Sequence, residues 1–558
     1  MKHRRDRQFW PKGVPRTLPV PKTTLYYNLE VSATRYPDKV AISYYGGRVV
    51  YRDLKRQADA LAGYLQRQCG VQRGERVLLY MQNSPQFVIA YYALLRADAV
   101  VVPVNPMNLT GELQHFIEDA DTRTALVGQE LLPRIAPLVG AGPLARLLVA
   151  NYGEYADDAF DLAQPDFLKL PRLSADLPQV VPWRDALEAQ CAPGAPLAQP
   201  DDLCAMPYTS GTTGRPKGCM HTHRTLMANV VPSGVWSKGS AEDVILCVVP
   251  FFHITGMVHL MHSALYLGAE LVLMTRWDRE LALDLIKRHQ VTGWTNIPTM
   301  VIDLFASPNF KMDSLASLRA ISGGGAAMPE AVAKRLFDLT GLEFAEGYGL
   351  TETAGATHAN PPDRPKRQCL GIPNCNTEAL VIDPETLAPL GVGEVGEIVS
   401  RGPQVFKGYW NQPEATAQAF VDIGGKKYFR TGDLGRCDDE GYYFFVDRLK
   451  RMINAAGFKV WPAEVELMMY AHPDIQEVCV IGCVDAHRGE TVKAVVVLKA
   501  ASKGRVRAED IIEWCKTRMA AYKYPRVVEF VDSLPKSATG KVMWRLLQEQ
   551  EAVKAGAK

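Results

Sequence analysis

The 558-residue chain contains no Cys-x-x-Cys pair. Its 11 cysteines are dispersed, and the nearest two, Cys479 and Cys483, form only a Cys-x-x-x-Cys. An odd, scattered set of thiols excludes a disulfide scaffold and a cysteine-built zinc site, and points to a reducing, cytoplasmic setting. Charge of one sign is also lacking. Lys plus Arg is 63 and Asp plus Glu is 61, a formal charge of +2. That balance gives no basis for whole-chain attraction to nucleic acid or to an anionic membrane. With 47% apolar and 22% charged residues, a disordered chain is excluded too. There is no internal repeat and no low-complexity tract. The basic start, Met1-Lys2-His3-Arg4-Arg5, is followed by Pro11, Pro15, Pro19 and Pro21 with no apolar core, so no export signal is expected.

One stretch, Val244 to Ala269, is free of Asp, Glu, Lys and Arg. It is long enough to cross a bilayer. Pro250, Gly256 and three histidines, His253, His259 and His262, are costly in hydrocarbon. The expectation is a buried strand, turn and helix, with no integral membrane span.

What is present reads as α/β. Short apolar runs such as Arg76–Tyr80, Val100–Val102 and Leu271–Met274 alternate with helical patterns at Gln86–Arg96, Thr110–Asp121 and Arg279–His289. Such alternation predicts a large N-terminal domain, 1–447, of parallel or mixed sheets covered by helices. Residues 151–202 break the rhythm with seven prolines, and predict a surface excursion with little regular structure. From 451 to 558, helix-like and strand-like segments build a small α+β C-terminal domain, with 448–450 as the connecting hinge.

The densest chemical signal is Tyr208-Thr209-Ser210-Gly211-Thr212-Thr213-Gly214-Arg215-Pro216-Lys217-Gly218. Glycines let backbone N–H groups approach an oxyanion, hydroxyls add donors, and Lys217 adds charge, as a polyphosphate requires. The loop lacks the glycine-lysine-hydroxyl ending of a Walker sequence. Six further stretches follow in order: Pro250–His253, Ser322–Ala327, Gly347–Thr353, Tyr428–Asp433, Asp447–Gly457 and Pro535–Lys541. Together they resemble the adenylate-forming (AMP-binding) superfamily along nearly the whole chain, and its acyl-CoA synthetases in particular.

The resemblance implies a set of roles. Thr209 to Gly214 and Lys217 would hold the ATP phosphates. Gly325, Ala326 and Tyr348 would border adenine, with the Tyr348 face available for stacking, and Glu346 and Gly347 would also belong to the ATP/AMP site. Thr351 would reach the α-phosphate and Glu352 would hold Mg2+, a hard cation that takes oxygen ligands. Asp433 would accept from the ribose hydroxyls, with Arg448 beside it and Lys450 as the pivot. Lys541 would bridge the attacking carboxylate and the α-phosphate, where two anions must meet and negative charge grows. Gly457, Phe458 and Arg276 would serve coenzyme A. Phe252, His253, Met257, Trp294 and Ile297 would line the acyl pocket, His253 also gating the thiol route. One departure is Asn454, where related aryl-CoA ligases commonly carry lysine.

The implied reaction joins a small-molecule carboxylate to ATP and then to coenzyme A. An apolar pocket favours a medium- or long-chain fatty acid, with aromatic acids second. Amino-acid activation would need an acid where His253 stands, to pair the substrate ammonium. A luciferase-like oxygenation and a non-catalytic nucleotide-binding protein complete the alternatives. Whether the chain forms a homodimer stays open at this level.

Overall fold

A computed structural model describes residues 9–173, 179–209, 215–325, 327–455, 458–485, 489–536 and 542–556. The chain forms two compact units. One holds Met1–Glu378 and Arg401–Phe420, the other Ala379–Ser400 and Val421–Lys558. The second unit opens well before the 448–450 connector, so strands flanking that connector on both sides belong to it.

The first unit contains a nine-stranded and a seven-stranded sheet. In the first of these, strands Val40–Tyr44, Glu270–Leu273, Val244–Cys247, Gly293–Asn296, Ala320–Gly324 and Ala345–Leu350 lie side by side and parallel. Antiparallel strands close both edges. The second sheet is parallel through Leu203–Ala205, Val100–Pro103, Arg76–Tyr80, Thr124–Gly128, Arg146–Ala150 and Val180–Pro182. Alternate residues of its strands face two different cores. Val77 and Leu79 join the large core that includes Ile42, Leu271 and Trp294, whereas Leu78 and Tyr80 join a smaller one with Phe116. Helix Pro85–Arg96 is buried at every residue from Pro85 to Leu95, as an all-round apolar helix must be. Ser84 caps it by accepting the Phe87 N–H.

Two expectations can be compared directly. The uncharged 244–269 stretch is indeed strand, turn and helix, though Thr255–His262 is π-helical before Ser263–Leu267 returns to α. Among the described residues, no helix is long and apolar enough to cross a membrane. Among the described residues of 151–202, short elements interrupt irregular chain. Val180–Pro182 adds an edge strand, where proline removes no needed ladder bond, and helix Trp183–Glu188 follows. Trp183 is 1% exposed, so the burial of one large side chain organises this stretch.

The second unit carries two five-stranded sheets. In the later one, Ile475–Asp485 pairs with Gly489–Leu498 over its full length. Helices Pro462–Met469 and Ala508–Lys516 cover one face, and Trp544 and Leu547 of the final helix cover the other.

Candidate active site

Parallel strands present their carboxyl ends on one edge of a sheet, and ligands of open α/β folds bind there. In the nine-stranded sheet, four such ends lead to Phe252 and His253, to Arg276, to Ile297 and to Gly325, and a fifth leads to Thr351 and Glu352. Sequence-distant candidates thus share one edge of the first unit.

Thr209 and Lys217 face each other across a two-stranded ladder, with Tyr208 opposite Gly218. Ser210, Gly211, Thr212, Thr213 and Gly214, the predicted phosphate loop between them, lie outside the described residues. The ladder is anchored from below, because Tyr208 Oη donates to Asp119 at 2.5 Å and Trp410 N–H donates to the Gly218 carbonyl. A bridge between Cys219 and Tyr409 brings a second tyrosine alongside. The Lys217 ammonium sits 5.0 Å from the centre of the Tyr409 ring, and the Tyr409 hydroxyl donates to Glu352 Oε1 at 2.9 Å. Burial, then the Glu352 charge, drives the Tyr409 phenol far above its ordinary range, so it stays a donor. One aromatic side chain therefore links the predicted phosphate lysine to the predicted metal ligand.

The Thr351–Thr353 turn is held by buried polar groups. His221 Nε2 lies 2.8 Å from the Thr351 carbonyl, which can only accept, so Nε2 carries the proton. Burial lowers the His221 pKa to about 4, keeping the ring neutral. Asn229 donates to the carbonyls of Thr353 and Ala354, and Phe406 N–H donates to that of Glu352. Glu352 itself is 7% exposed.

On the predicted adenine side, Gly323 and Gly324 pair with Glu346 and Gly347. A Cβ on Gly323 would collide with the Asn296 carbonyl oxygen, so this glycine serves close strand packing as well. Gly325 adopts φ +84°. Ala326 lies outside the described residues. The Tyr348 ring packs on His358 at 5.6 Å. The Glu346 carboxylate accepts the N–H groups of Met328 and Gln368, both at 3.2 Å, tying two loops to the sheet. Burial pushes its pKa up to about 7.

Two of the five acyl-pocket candidates are fully interior. Met257 is fully buried and receives the Tyr91 hydroxyl on its sulfur. Trp294 is buried and stacked on Trp277 at 5.8 Å. Phe252, His253 and Ile297 are half-buried. His253 Nδ1 accepts the Thr255 N–H, at the entrance to the π-helical turn. Arg276 is exposed, with its guanidinium 4.9 Å from the Phe167 ring centre.

Within the second unit, Asp433 and Arg448 stand opposite each other on adjacent antiparallel strands, and Arg448 Nε lies 2.9 Å from Asp433 Oδ1. Asp433 is buried, and its N–H donates to Thr431 Oγ1. Lys450 is the exposed residue of the turn Leu449–Arg451. Just before it, the buried Asp447 carboxylate accepts the N–H groups of Arg448 and Ala463. Phe458 is exposed and stacks on Tyr522 at 4.8 Å. Asn454 is exposed and its N–H donates to Glu490. Gly457 and Lys541 lie outside the described residues.

Residues 29–410 match the AMP-binding enzyme family and residues 464–541 match its C-terminal domain. The chain belongs to the AMP-binding enzymes. It is 36% identical to a long-chain-fatty-acid–CoA ligase of Bacillus subtilis, over 97% of both chains. It is 34% identical to a feruloyl-CoA synthase of an Amycolatopsis species, over 91% of this chain and 95% of that one. The crystal structure of ATP-bound MatB from Rhodopseudomonas palustris superposes with a TM-score of 0.83 at 29% identity, covering 95% of this chain and 99% of that one.

Three residues that contact the candidate site of this AMP-binding enzyme were not found from sequence: Tyr409, His221 and Asn229. Tyr409 lies in no polar cluster and is recruited only through its bridge to Cys219. A signal did exist for Asn229. Thr225, Asn229 and Ser233 recur every four residues in helix His223–Trp236, which is otherwise apolar after Arg224, and polar groups on a buried face need partners.

Proposed function

We propose that this AMP-binding enzyme is an AMP-forming acyl-CoA synthetase. A carboxylate oxygen attacks the α-phosphorus of ATP and pyrophosphate leaves, giving acyl-AMP. The coenzyme A thiolate then attacks the acyl carbon and AMP leaves, giving the thioester. The observation that carries this reading is the Lys217–Tyr409–Glu352 arrangement, whose Glu352 follows a strand end on the sheet edge that also leads to Phe252, His253 and Ile297.

Thr209, Lys217 and the loop between them would bind the phosphates, and Thr351 the α-phosphate. Gly325, Gly347 and Tyr348 would border adenine, and Asp433 with Arg448 the ribose. Lys541 would bridge the two reacting anions, with Lys450 as the pivot of the segment that carries it. Phe458 and Arg276 would meet coenzyme A. The donor set suits Mg2+: among the described residues no group of three or more His, Cys, Asp or Glu forms a metal cage, while Glu352 supplies one buried carboxylate. Magnesium is commonly held by one or two carboxylates plus substrate phosphates. Glu352 would hold it, and the bound ion would offset phosphate charge.

For the acid, the apolar interior around Met257 and Trp294 supports a medium- or long-chain fatty acid. An aromatic acid is the second reading, favoured by the likeness to a feruloyl-CoA synthase. A panel of fatty, aromatic and amino acids, scored for ATP-to-AMP conversion with and without coenzyme A, tests this. The proposal requires CoA-dependent turnover with a fatty or aryl acid, and fails if no carboxylate supports AMP release.

A further inference from the structure

A histidine with no role so far joins the acyl side of the site to the nucleotide side. At the end of the polar stripe on helix His223–Trp236, Ser233 Oγ donates to the Asn229 carbonyl at 2.7 Å and lies 2.7 Å from His259 Nδ1. The serine proton is already committed, so His259 Nδ1–H donates to that oxygen. The other ring nitrogen, Nε2, accepts the Ala356 backbone N–H at 3.1 Å. These partners fix the tautomer. Loss of hydration lowers the His259 pKa to about 4, so the ring is neutral at pH 7.

Two observations set this apart from ordinary core packing. His259 belongs to the π-helical segment Thr255–His262, which also carries Met257 and follows directly on Phe252 and His253. Turns of this kind are rare and concentrate at functional sites. On the other side, Gly355 has φ +101°, and a Cβ there would stand 2.5 Å from His259 Nε2. The backbone just after the Thr351–Thr353 turn is therefore pressed against the imidazole, and a side chain at 355 is sterically excluded. Asn229, whose carbonyl receives the serine proton, holds the same turn through Thr353 and Ala354.

We infer that His259 is a positioning residue that sets the spacing between the acyl-side π-helical segment and the Thr351–Glu352 turn, so that occupancy of the acyl pocket and of the nucleotide site are coupled. The inference rests on the ligase reading and adds to it a linkage between the two substrates. Deleting the acceptor of the half-buried Ala356 N–H removes a directional tie that shape alone does not replace.

The test uses two amide replacements in the full chain. His259→Gln can place an oxygen near the Nε2 position and keep an acceptor for Ala356, whereas His259→Asn reaches only toward Ser233. Acid-dependent ATP–pyrophosphate exchange is measured on wild type first, then on both variants, with thermal unfolding alongside. We expect His259→Asn to raise KM for ATP and for the acid together, each about 5- to 10-fold, while His259→Gln stays within about twofold of wild type. The inference is overturned if the asparagine variant leaves either KM within twofold, or if the glutamine variant falls with it. A loss of melting temperature with both KM values unchanged counts in the same direction, since it shows a purely structural role. An inactive wild type overturns the ligase reading, whereas an active wild type with an indifferent asparagine variant overturns only the coupling.

Discussion

Replacing Tyr409 by phenylalanine deletes one hydroxyl and keeps the ring on which Lys217 rests. The hydroxyl donates at 2.9 Å to a carboxylate on a residue only 7% exposed, so water is poorly placed to substitute for it. Hydrogen bonds to charged groups contribute about 1.5–3 kcal/mol. Partners that orient a metal-binding carboxylate typically change metal affinity or activity by about 10- to 100-fold when removed. The ring contact, at 5.0 Å, is a separate contribution of about 0.5–2 kcal/mol that leucine would forfeit and phenylalanine would not. Pyrophosphate exchange titrated with Mg2+ separates the two. Tyr409→Phe should need about tenfold more Mg2+ for half-maximal rate, with ATP affinity in the absence of Mg2+ unchanged. Tyr409→Leu should add a loss of ATP affinity through Lys217. A phenylalanine variant that titrates like wild type would refute the idea that Tyr409 orients Glu352.

Gly323→Ala should destabilise the first unit by on the order of 2–4 kcal/mol, because its methyl meets a backbone carbonyl rather than a yielding side chain. Limited proteolysis and thermal unfolding would show it, and an unchanged melting curve would contradict the packing argument. Glu346, with its pKa raised from 4.5 to about 7, favours the folded state most below about pH 4.5, and that contribution is lost as pH climbs through 7. Glu346→Gln retains an oxygen acceptor and should flatten the fall in melting temperature from pH 4.5 to 8, removing on the order of 3 kcal/mol of pH dependence. Glu130, also raised to about 7 by burial, would leave a residual slope. Parallel curves for variant and wild type would rule out Glu346 as a source. Lys541→Ala should abolish acyl-AMP formation yet spare thioester formation from supplied acyl-AMP. Equal loss of both steps would remove its assigned role.

Much of the fold was legible because it rests on local pattern. The strand at Arg76–Tyr80 and the helix at Arg279–His289 were expected with the boundaries observed, since apolar period and capping chemistry are properties of adjacent residues. Asp278 caps that helix through the Leu281 N–H, and such a cap is readable from residue types alone. Within 151–202 the prolines are visible in composition, whereas the partners of the short elements there are not. The buried Trp183 and the edge pairing of Val180–Pro182 depend on a strand thirty-odd residues earlier, Arg146–Ala150. The π-helical register of Thr255–His262 was likewise invisible, because its sequence suits an α-helix as well.

For the site, residue order alone was enough to name the motifs, since glycines, hydroxyls and cations close together in sequence are close together in space. What tertiary structure decided was which distant groups meet. Tyr409 stands between Lys217 and Glu352 only because an isolated bridge brings residue 409 beside residue 219. His259 reaches Ala356 across 97 positions of sequence, a separation over which no local pattern carries information. Short-range preferences are written in neighbouring side chains. Long-range contacts exist only after the sheets have paired and their carboxyl ends have been brought to one edge.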